Sequence, residues 1–535
     1  MANSQTLYYG GEIVTMEEGT APQAVLVEQD RIQMVGKLAE LRAHCGPDTE
    51  MVDLKGTALL PAFIDAHSHI TAWAQTMGLI SLEGTAGFEE IQRRIRDFRD
   101  SRGVKPGEWM MGFGYDHNFL REGRHPDRWL LDDAAPENPL LITHASGHMG
   151  VVNSQALQIL GIAADTPDPA GGHIGRQGEN GEPTGYLEET AFTQISAALP
   201  RPSLEQLCRQ LEMAQEDYLS RGITTVQDGL THENEWMLLS HMAEAGRLRL
   251  DTVCYPDMKQ SHDLLDTDSP YYRRYRNRLK IGGYKIFLDG SPQGRTAWMS
   301  QPYQGEKVYR GYPVYEDSQT AAFMEEAVER GIQLLVHCNG DAAAEQMIQT
   351  YAAAAGNKNV GLRPVMIHAQ LVRKDQLRQM AALGMFASFF VAHTYYWGDV
   401  HLRNFGGKRA EKISPVRTAI REEVPYTFHQ DTPVLPPDML DTVWCAVNRI
   451  TREGKQLGVE ERISPYEALK AVTINAAAQY FEEDEKGSIR PGKRADLVIL
   501  ERSPLSCPPE EIRNIQVLRT IKDGKTLYER EGKTG

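Results

Sequence analysis

The sequence predicts an α/β protein built around a (β/α)₈ TIM barrel. Three observations support this prediction. Eight strand-like apolar runs occur along the chain, helix-length segments separate most of them, and several runs end in histidine, lysine or aspartate. Strands that alternate with helices indicate a parallel sheet, and eight such units fit a closed barrel.

The first strand candidate is PAFIDA, and the other seven lie between about residues 205 and 480. These seven are ITTVQDG, LRLDTVCYP, LKIGGYKIFLDG, IQLLVHCNGD, PVMIHAQL, MFASFFVAH and VPYTFHQDTPV. Segments such as DSQTAAFMEEAVERG and KDQLRQMAALG have the length and the polar–apolar pattern of the helices expected between them.

Three domains are predicted. Residues 1–58 and 481–535 share short β-like runs, so the two ends are expected to pair into one small antiparallel domain. Residues 59–85 and 205–480 are expected to form the barrel. Residues 86–204 interrupt the alternation after the first strand, and their Gly-rich run GGHIGRQGENGEPTG predicts a surface hairpin rather than a phosphate loop.

Composition narrows the class of protein. The 535 residues are 41% hydrophobic and 24% charged, as expected of a folded enzyme, and the net charge of −16 argues against nucleic acid or an anionic membrane as partner. No segment reaches the roughly 18 apolar residues of a membrane helix. Six scattered cysteines without a C-x-x-C pair, and a first segment without a signal-peptide pattern, predict a cytoplasmic location.

Several of the predicted strands end in residues that bind metals. His67 and His69 follow the first strand, and their alternate positions place both imidazoles on one face. The other strand ends carry Lys285, His337, His368 and Asp431. Because the carboxyl ends of parallel barrel strands meet at one rim, these side chains are expected to gather around a divalent transition metal.

The segments PAFIDAHSH, YKIFLDGS, VHCNGD, MIHAQL and HQDTPV resemble the amidohydrolase superfamily, and in particular its YtcJ-like, or amidohydrolase-3, branch. The resemblance extends over nearly the whole chain, including SGHMGVVNSQAL and GSIRPGKRADLVIL. It implies a TIM barrel, a composite β-sandwich from both termini, and an insert on the substrate side. It also implies metal-dependent hydrolysis of a C–N bond (amide, formamide or cyclic amide) in a small molecule.

The resemblance also assigns roles at the site. The metal ligands that it implies are His67, His69, Lys285, His337, His368 and Asp431. Lys285 falls on a lysine that often carries carbon dioxide as a carbamate, and Asp431 falls on the catalytic aspartate. One or two zinc ions are expected, because bound zinc lowers the pKa of water to about 7. Gln430 replaces the serine found in many relatives, which leaves the substrate open.

Weaker candidates for substrate contact lie outside this set: Asp116, His148, Arg295 and His393. Asp116 and His148 belong to the insert, where His117 and His144 accompany them, and His393 is expected at the end of the seventh strand. For two of the named residues, a purely structural ion pair remains open as the alternative. Arg295 could pair with a surface acid, and Lys285 could pair with Asp289.

Two other functions remain open at this point. A deaminase of an aminated ring compound could use the same fold, although the expected bridging Lys285 weighs against it. A non-catalytic binding or regulatory protein is the second alternative, and the intact ligand set weighs against that. A homodimer is the expected assembly.

Overall fold

The structure is a computed structural model that describes residues 5–199 and 201–531. The described residues fall into two compact units. The first unit holds the chain up to Trp73 and from Glu212 onward, and the second holds Ala74–Leu211.

Two parallel sheets form the centre of the first unit. The first sheet has the order β4-β3-β2-β1 and contains β1 (Phe63–Ile64), β2 (Ile223–Thr231), β3 (Asp251–Pro256) and β4 (Leu279–Ile281). The second has the order β5-β6-β7-β8-β9 and contains β5 (Gly283–Phe287), β6 (Gln333–Cys338), β7 (Val365–His368), β8 (Phe386–Phe389) and β9 (Tyr426–Phe428). All eight predicted strands lie in these sheets, and closure into a barrel stays a prediction.

The strand bounds differ from the prediction at two places. The fourth predicted strand divides at Gly282, where a Cβ atom would lie 2.5 Å from the ring of Tyr255. The close approach accompanies a change of partner, since β4 pairs with β3 whereas β5 pairs with β6. The seventh strand ends at Phe389, and His393 instead begins the short helix His393–Tyr396. A short apolar run does not distinguish a strand from a buried helix by hydrophobicity alone.

Helices separate most of the parallel strands. The helices of the first unit include Glu233–Glu244, Asp317–Glu329, Asp341–Ala354, Lys374–Leu383, Gly398–Phe405, Gly407–Ala410, Val416–Arg421, Met439–Asn448, Pro465–Ala471 and Ile474–Gln479. Ser464 begins one of them with a capping box, in which its Oγ accepts the Glu467 N–H at 3.2 Å. In the described part of the chain, no helix has both the length and the apolar composition to cross a membrane.

Strands from both ends of the chain share one sheet. It contains Glu12–Ile13, Ala58–Pro61, Leu497–Leu500, Val517–Lys522 and Lys525–Glu529. A second sheet contains Gln5–Tyr9, Ala24–Glu28, Arg31–Gly36 and Glu50–Asp53. Apolar side chains of both sheets, such as Val25, Leu59, Leu497 and Ile521, form one core. Burial of these side chains therefore stabilises the association of the two ends.

The second unit contains a six-stranded mixed sheet. Its strands are Leu79–Ser81, Met110–Tyr115, Leu140–His144, Met149–Val152, Gly172–Gln177 and Glu182–Glu189. The last two pair antiparallel, so the predicted Gly-rich hairpin is confirmed. The helices Phe88–Arg102, Arg128–Ala134 and Ser154–Ile159 also belong to this unit.

A buried ionic cluster connects the start of β3 to the C-terminal segment. Asp251 Oδ2 lies 2.6 Å from Lys486 Nζ and 2.7 Å from Lys522 Nζ. Lys522 also contacts Asp496 at 2.8 Å, and Lys486 contacts Glu482 at 2.9 Å. Burial raises the pKa of Asp251, but the two lysine charges outweigh this effect and hold the pKa well below its ordinary value.

We expect Asp251→Asn to destabilise the protein strongly, because it leaves two buried ammonium groups without their shared carboxylate. The expected loss of unfolding free energy is about 3–5 kcal/mol, measured by urea denaturation. The contribution of Asp251 to the free energy of unfolding is fully present above the ordinary pKa of a carboxyl group. It is lost as the pH falls through the depressed pKa of the folded state, so the difference between variant and parent should shrink in acid.

Asp484→Asn is the matched control, because Asp484 is 92% exposed and its ion pair with the partly exposed Arg490, at 3.3 Å, lies at the surface. Its removal should leave the urea midpoint nearly unchanged. An equal response of the two variants would contradict a structural role for the buried cluster.

Candidate metal centre at the ends of the parallel strands

The two histidines after β1 converge on the aspartate after β9. His67 Nε2 lies 3.3 Å from Asp431 Oδ1, and His69 Nε2 lies 3.4 Å from the same oxygen. These separations are close to the roughly 3.4 Å between ligands of a tetrahedral zinc ion with 2.0–2.1 Å bonds. The three side chains thus offer donor atoms at a spacing that suits one cation.

Gln227 fixes the orientation and tautomer of His67. The Gln227 side-chain amide donates to Ala66 O at 2.9 Å and to the Tyr480 hydroxyl at 3.0 Å, so its Oε1 faces His67. His67 Nδ1–H donates to that oxygen at 2.6 Å. The neutral ring therefore directs the lone pair of Nε2 toward Asp431, and two acceptors that face each other need a cation between them.

His337 and His368 form a second pair beside the first. His337 Nε2 lies 3.2 Å from Gly290 O and 3.0 Å from the side-chain nitrogen of Asn339, and its Nδ1 lies 3.0 Å from His368 Nε2. The rings of His67 and His368 have centroids 5.7 Å apart, so the two pairs are neighbours. His368 has a φ of 74°, a left-handed conformation that few non-glycine residues adopt.

Lys285 is buried in β5, and its amine has no hydrogen-bond partner in the described part of the chain. Burial lowers the pKa of Lys285 to about 7, although the charge of Asp431 opposes this shift. The alternative ion pair with Asp289 is not formed, because Asp289 accepts the backbone N–H groups of Asn339 and Gly340 and of Trp298. An unpartnered, readily neutral amine fits a lysine that reacts with carbon dioxide.

A further histidine of the site, His429, lies between β9 and Asp431 and was not predicted from the sequence. Its Nε2 lies 3.2 Å from His368 Nδ1, and its Nδ1 lies 2.9 Å from Ser388 Oγ. These contacts form a series of hydrogen bonds from Ser388 through His429 to His368. Protons in this series can shift so that His368 donates from Nδ1 to His429 and offers Nε2 to a cation. The rule used for the other residues, a histidine at a strand end, could have identified His429.

Burial keeps the imidazoles of the site neutral. It lowers the pKa of His67 to about 4 and that of His337 to about 3, and the charge of Lys285 acts in the same direction. Neutral nitrogens and an ionised carboxylate are the forms that bind divalent metals.

Two of the predicted substrate contacts lie in the same unit. His393 is 3% exposed, and its Nδ1 lies 3.0 Å from His401 Nε2. The guanidinium of Arg295 contacts the carboxylate of Glu306 at 2.8 Å, which is the surface pairing that we kept as an alternative. A substrate role of Arg295 stays a prediction.

The other two predicted contacts lie in the second unit. Asp116 Oδ1 accepts the Asn118 N–H at 2.9 Å and lies 3.4 Å from His144 Nε2. His144 Nδ1 accepts the Ser146 N–H at 3.0 Å, so its Nε2 carries the proton and donates within this cluster. His148 is exposed and lies 3.2 Å from Glu189. Asp116 and His148 thus have polar partners within the second unit, and their contact with substrate stays a prediction.

Comparison with known proteins places the chain in a family. A model of the amidohydrolase family matches residues 50–528. The N-substituted formamide deformylase of Arthrobacter pascens is 32% identical over 523 residues, which cover 95% of each protein. YtcJ of Bacillus subtilis is 28% identical over 538 residues, which cover 98% of this chain and all of that protein.

A solved structure agrees with these matches. The crystal structure of an uncharacterized metal-dependent hydrolase from Pyrococcus furiosus has a TM-score of 0.75 and 25% identity, covering 94% of this chain and all of that one. The framework is therefore an α/β fold of the TIM-barrel type. The chain belongs to the amidohydrolase family, and the predicted membership of its YtcJ-like branch is confirmed.

We expect the purified protein to bind a divalent transition metal and the double variant His67→Ala/His69→Ala to lose at least one ion per chain. The Nε2 atoms of both histidines lie close to the same Asp431 oxygen, so the double variant removes two of the three possible metal-binding atoms at this point. Elemental analysis by mass spectrometry measures the content. His44→Ala is the control, because His44 is exposed and its ring contacts only Glu40 O. An unchanged metal content in the double variant would contradict the assignment.

Proposed function

We propose that this chain is a metal-dependent hydrolase that cleaves a C–N bond of a small molecule, an amide, a formamide or a cyclic amide. The observation that carries the proposal is the convergence of His67 Nε2 and His69 Nε2 on Asp431 Oδ1. The adjoining imidazole pair and the unpartnered Lys285 add to it. The name of the Arthrobacter relative, a formamide deformylase, points to the same bond.

The donor set suits a transition metal, and zinc is the ion that we propose, as one or two ions. The residues that would hold it are His67, His69, Lys285, His337, His368 and Asp431. When bound, such a metal lowers the pKa of water and polarises a carbonyl oxygen. Nitrogen and carboxylate donors in a buried setting are typical of such sites.

Asp431 is the general acid and base in this proposal. Its carboxylate is ionised and lies at the point where the two β1 histidines meet. It can accept a proton from the attacking water and return it to the nitrogen that leaves, so that no free amide anion forms. The Asp431 backbone has a φ of 54°, and this strained conformation aims the carboxylate at the histidines.

Lys285 supplies a further anionic donor after it reacts with carbon dioxide. The neutral amine forms an N–C bond with the carbon of the gas, and one proton leaves to solvent. The product is a carbamate whose two oxygens can bind one or two cations. The position of Lys285 supports this proposal, because a buried ammonium would otherwise lie without a partner beside the metal ligands.

We expect Asp431→Asn to lower kcat for N-formyl and N-acyl amines by about 10²–10⁴-fold, because an amide side chain cannot accept the proton. The measurement is the release of amine and carboxylic acid across a panel of such substrates. Asp263→Asn is the matched control, since Asp263 is fully exposed on the surface, and its kcat should equal that of the parent.

Three outcomes would count against the proposal. Equal kcat values for the two Asp→Asn variants would remove Asp431 from the reaction. Release of ammonia from aminated ring compounds, without cleavage of any acyl amine, would favour a deaminase. A parent protein that holds no metal and gains no activity with added zinc, manganese or iron would favour a binding or regulatory protein.

We expect a carbamate carbon in the ¹³C NMR spectrum of protein equilibrated with ¹³C-bicarbonate. The signal should be absent from Lys285→Arg, because the guanidinium does not react with carbon dioxide at neutral pH. Lys412→Arg is the control, since Lys412 is an exposed lysine, and it should keep the signal. A signal that survives in Lys285→Arg would place the carbamate elsewhere.

A further inference from the structure

A buried pair of histidines lies behind the site, and one of the two had no predicted role. His393 Nδ1 and His401 Nε2 are 3.0 Å apart, and the ring planes differ by only 9°. The rings are 3% and 1% exposed. This geometry is that of a hydrogen bond between two imidazoles with a single proton between them.

The surroundings keep both rings neutral. Aromatic rings pack against the pair, with Trp397 and Phe390 beside His393 and Phe405 beside His401. In residues 5–199 and 201–531, burial is the one cause that shifts the pKa of His401, whereas the charge of Asp431 acts on His393 against the larger effect of burial. Burial lowers the pKa of His401 to about 3, which agrees with a neutral ring.

The direction of the hydrogen bond follows from the remaining nitrogen of His401. Its Nδ1 is buried and has no hydrogen-bond partner among the residues that the structure describes. If His393 donated the shared proton, His401 would have to carry its own proton on Nδ1, as a buried donor without an acceptor. A buried unpaired N–H is rarer than an under-satisfied acceptor. His401 Nε2–H is therefore the donor, and His393 Nδ1 accepts.

The tautomer of His393 follows at once. With Nδ1 as the acceptor, the neutral ring carries its proton on Nε2. The ring of Phe390 packs against His393 and also against two histidines of the metal centre, with its centroid 4.6 Å from that of His393, 5.3 Å from that of His429 and 6.1 Å from that of His368. His393 therefore lies beside the centre and carries a donor.

We infer that His401 is a positioning residue that holds His393 in the Nε2–H tautomer, so that His393 donates a hydrogen bond to the oxygen of the substrate carbonyl. This inference rests on the proposed hydrolase function. Negative charge develops on that oxygen when water attacks the carbonyl carbon, and a preset N–H donor stabilises the charge. A ring lone pair at the same place would repel it.

The test compares glutamine and leucine at each position, because the glutamine Nε2 can replace a histidine Nε2–H whereas leucine has no donor. We expect His401→Gln and His393→Gln to keep kcat within about tenfold of the parent on the best acyl amine of the panel. His393→Leu should lose about 10²–10³-fold in kcat, as when an oxyanion donor is removed. Metal content and thermal midpoint should be equal within each Gln–Leu pair.

The loss of kcat should be smaller in His401→Leu than in His393→Leu, because without His401 the His393 ring samples both tautomers and still donates part of the time. If His393→Gln were as inactive as His393→Leu with metal retained, the ring would act through a lone pair and the inference would be wrong.

A second measurement does not depend on turnover. Long-range ¹H–¹⁵N correlation of protein labelled with ¹⁵N-histidine, assigned by the loss of signals in His393→Gln, reports which nitrogen of His393 carries the proton. Protonation at Nε2 supports the inference, and protonation at Nδ1 overturns it. If the parent cleaves no acyl amine while His393 is protonated at Nε2, the proposed function fails and the assignment of the tautomer stands.

Discussion

The site depends on acceptor atoms that face each other where water is excluded. Gln227 Oε1 accepts a hydrogen bond from His67 Nδ1–H, so the lone pair of Nε2 meets an ionised Asp431 oxygen at 3.3 Å. Without a positive charge between them the two atoms repel, and burial prevents His67 from supplying that charge as an imidazolium. The whole arrangement therefore requires a cation, and the fold supplies the energy that holds the acceptors together.

Parallel strands make this possible. Their carboxyl ends deliver His337 and His368 from neighbouring strands, and the strained backbones at His368 and Asp431 turn their side chains inward. A buried ionic cluster lies at the amino end of β3. There Asp251 forms ion pairs with two buried lysines of the C-terminal segment. The ionic cluster thus lies at the amino end of the first parallel sheet, whereas His67 and His69 follow the carboxyl end of β1 in the same sheet.

Much of this arrangement was predictable from the sequence, because histidine, lysine and aspartate at strand ends form a pattern that is visible one strand at a time. His67, His69 and Asp431 were predicted to meet, and they do. Contacts between residues distant in sequence were not predictable: no local signal indicates that Gln227 holds His67 or that His401 holds His393. The division of the fourth strand at a glycine likewise depends on a tyrosine from another strand.

The most direct test is anomalous diffraction at the absorption edge of the metal found in the purified protein. The account predicts a peak bonded to His67 Nε2, His69 Nε2 and Asp431, with bonds of about 2.0–2.2 Å and with His67 Nδ1 still on Gln227. A metal bonded through His67 Nδ1, or a fully loaded protein with no peak near Asp431, would contradict it.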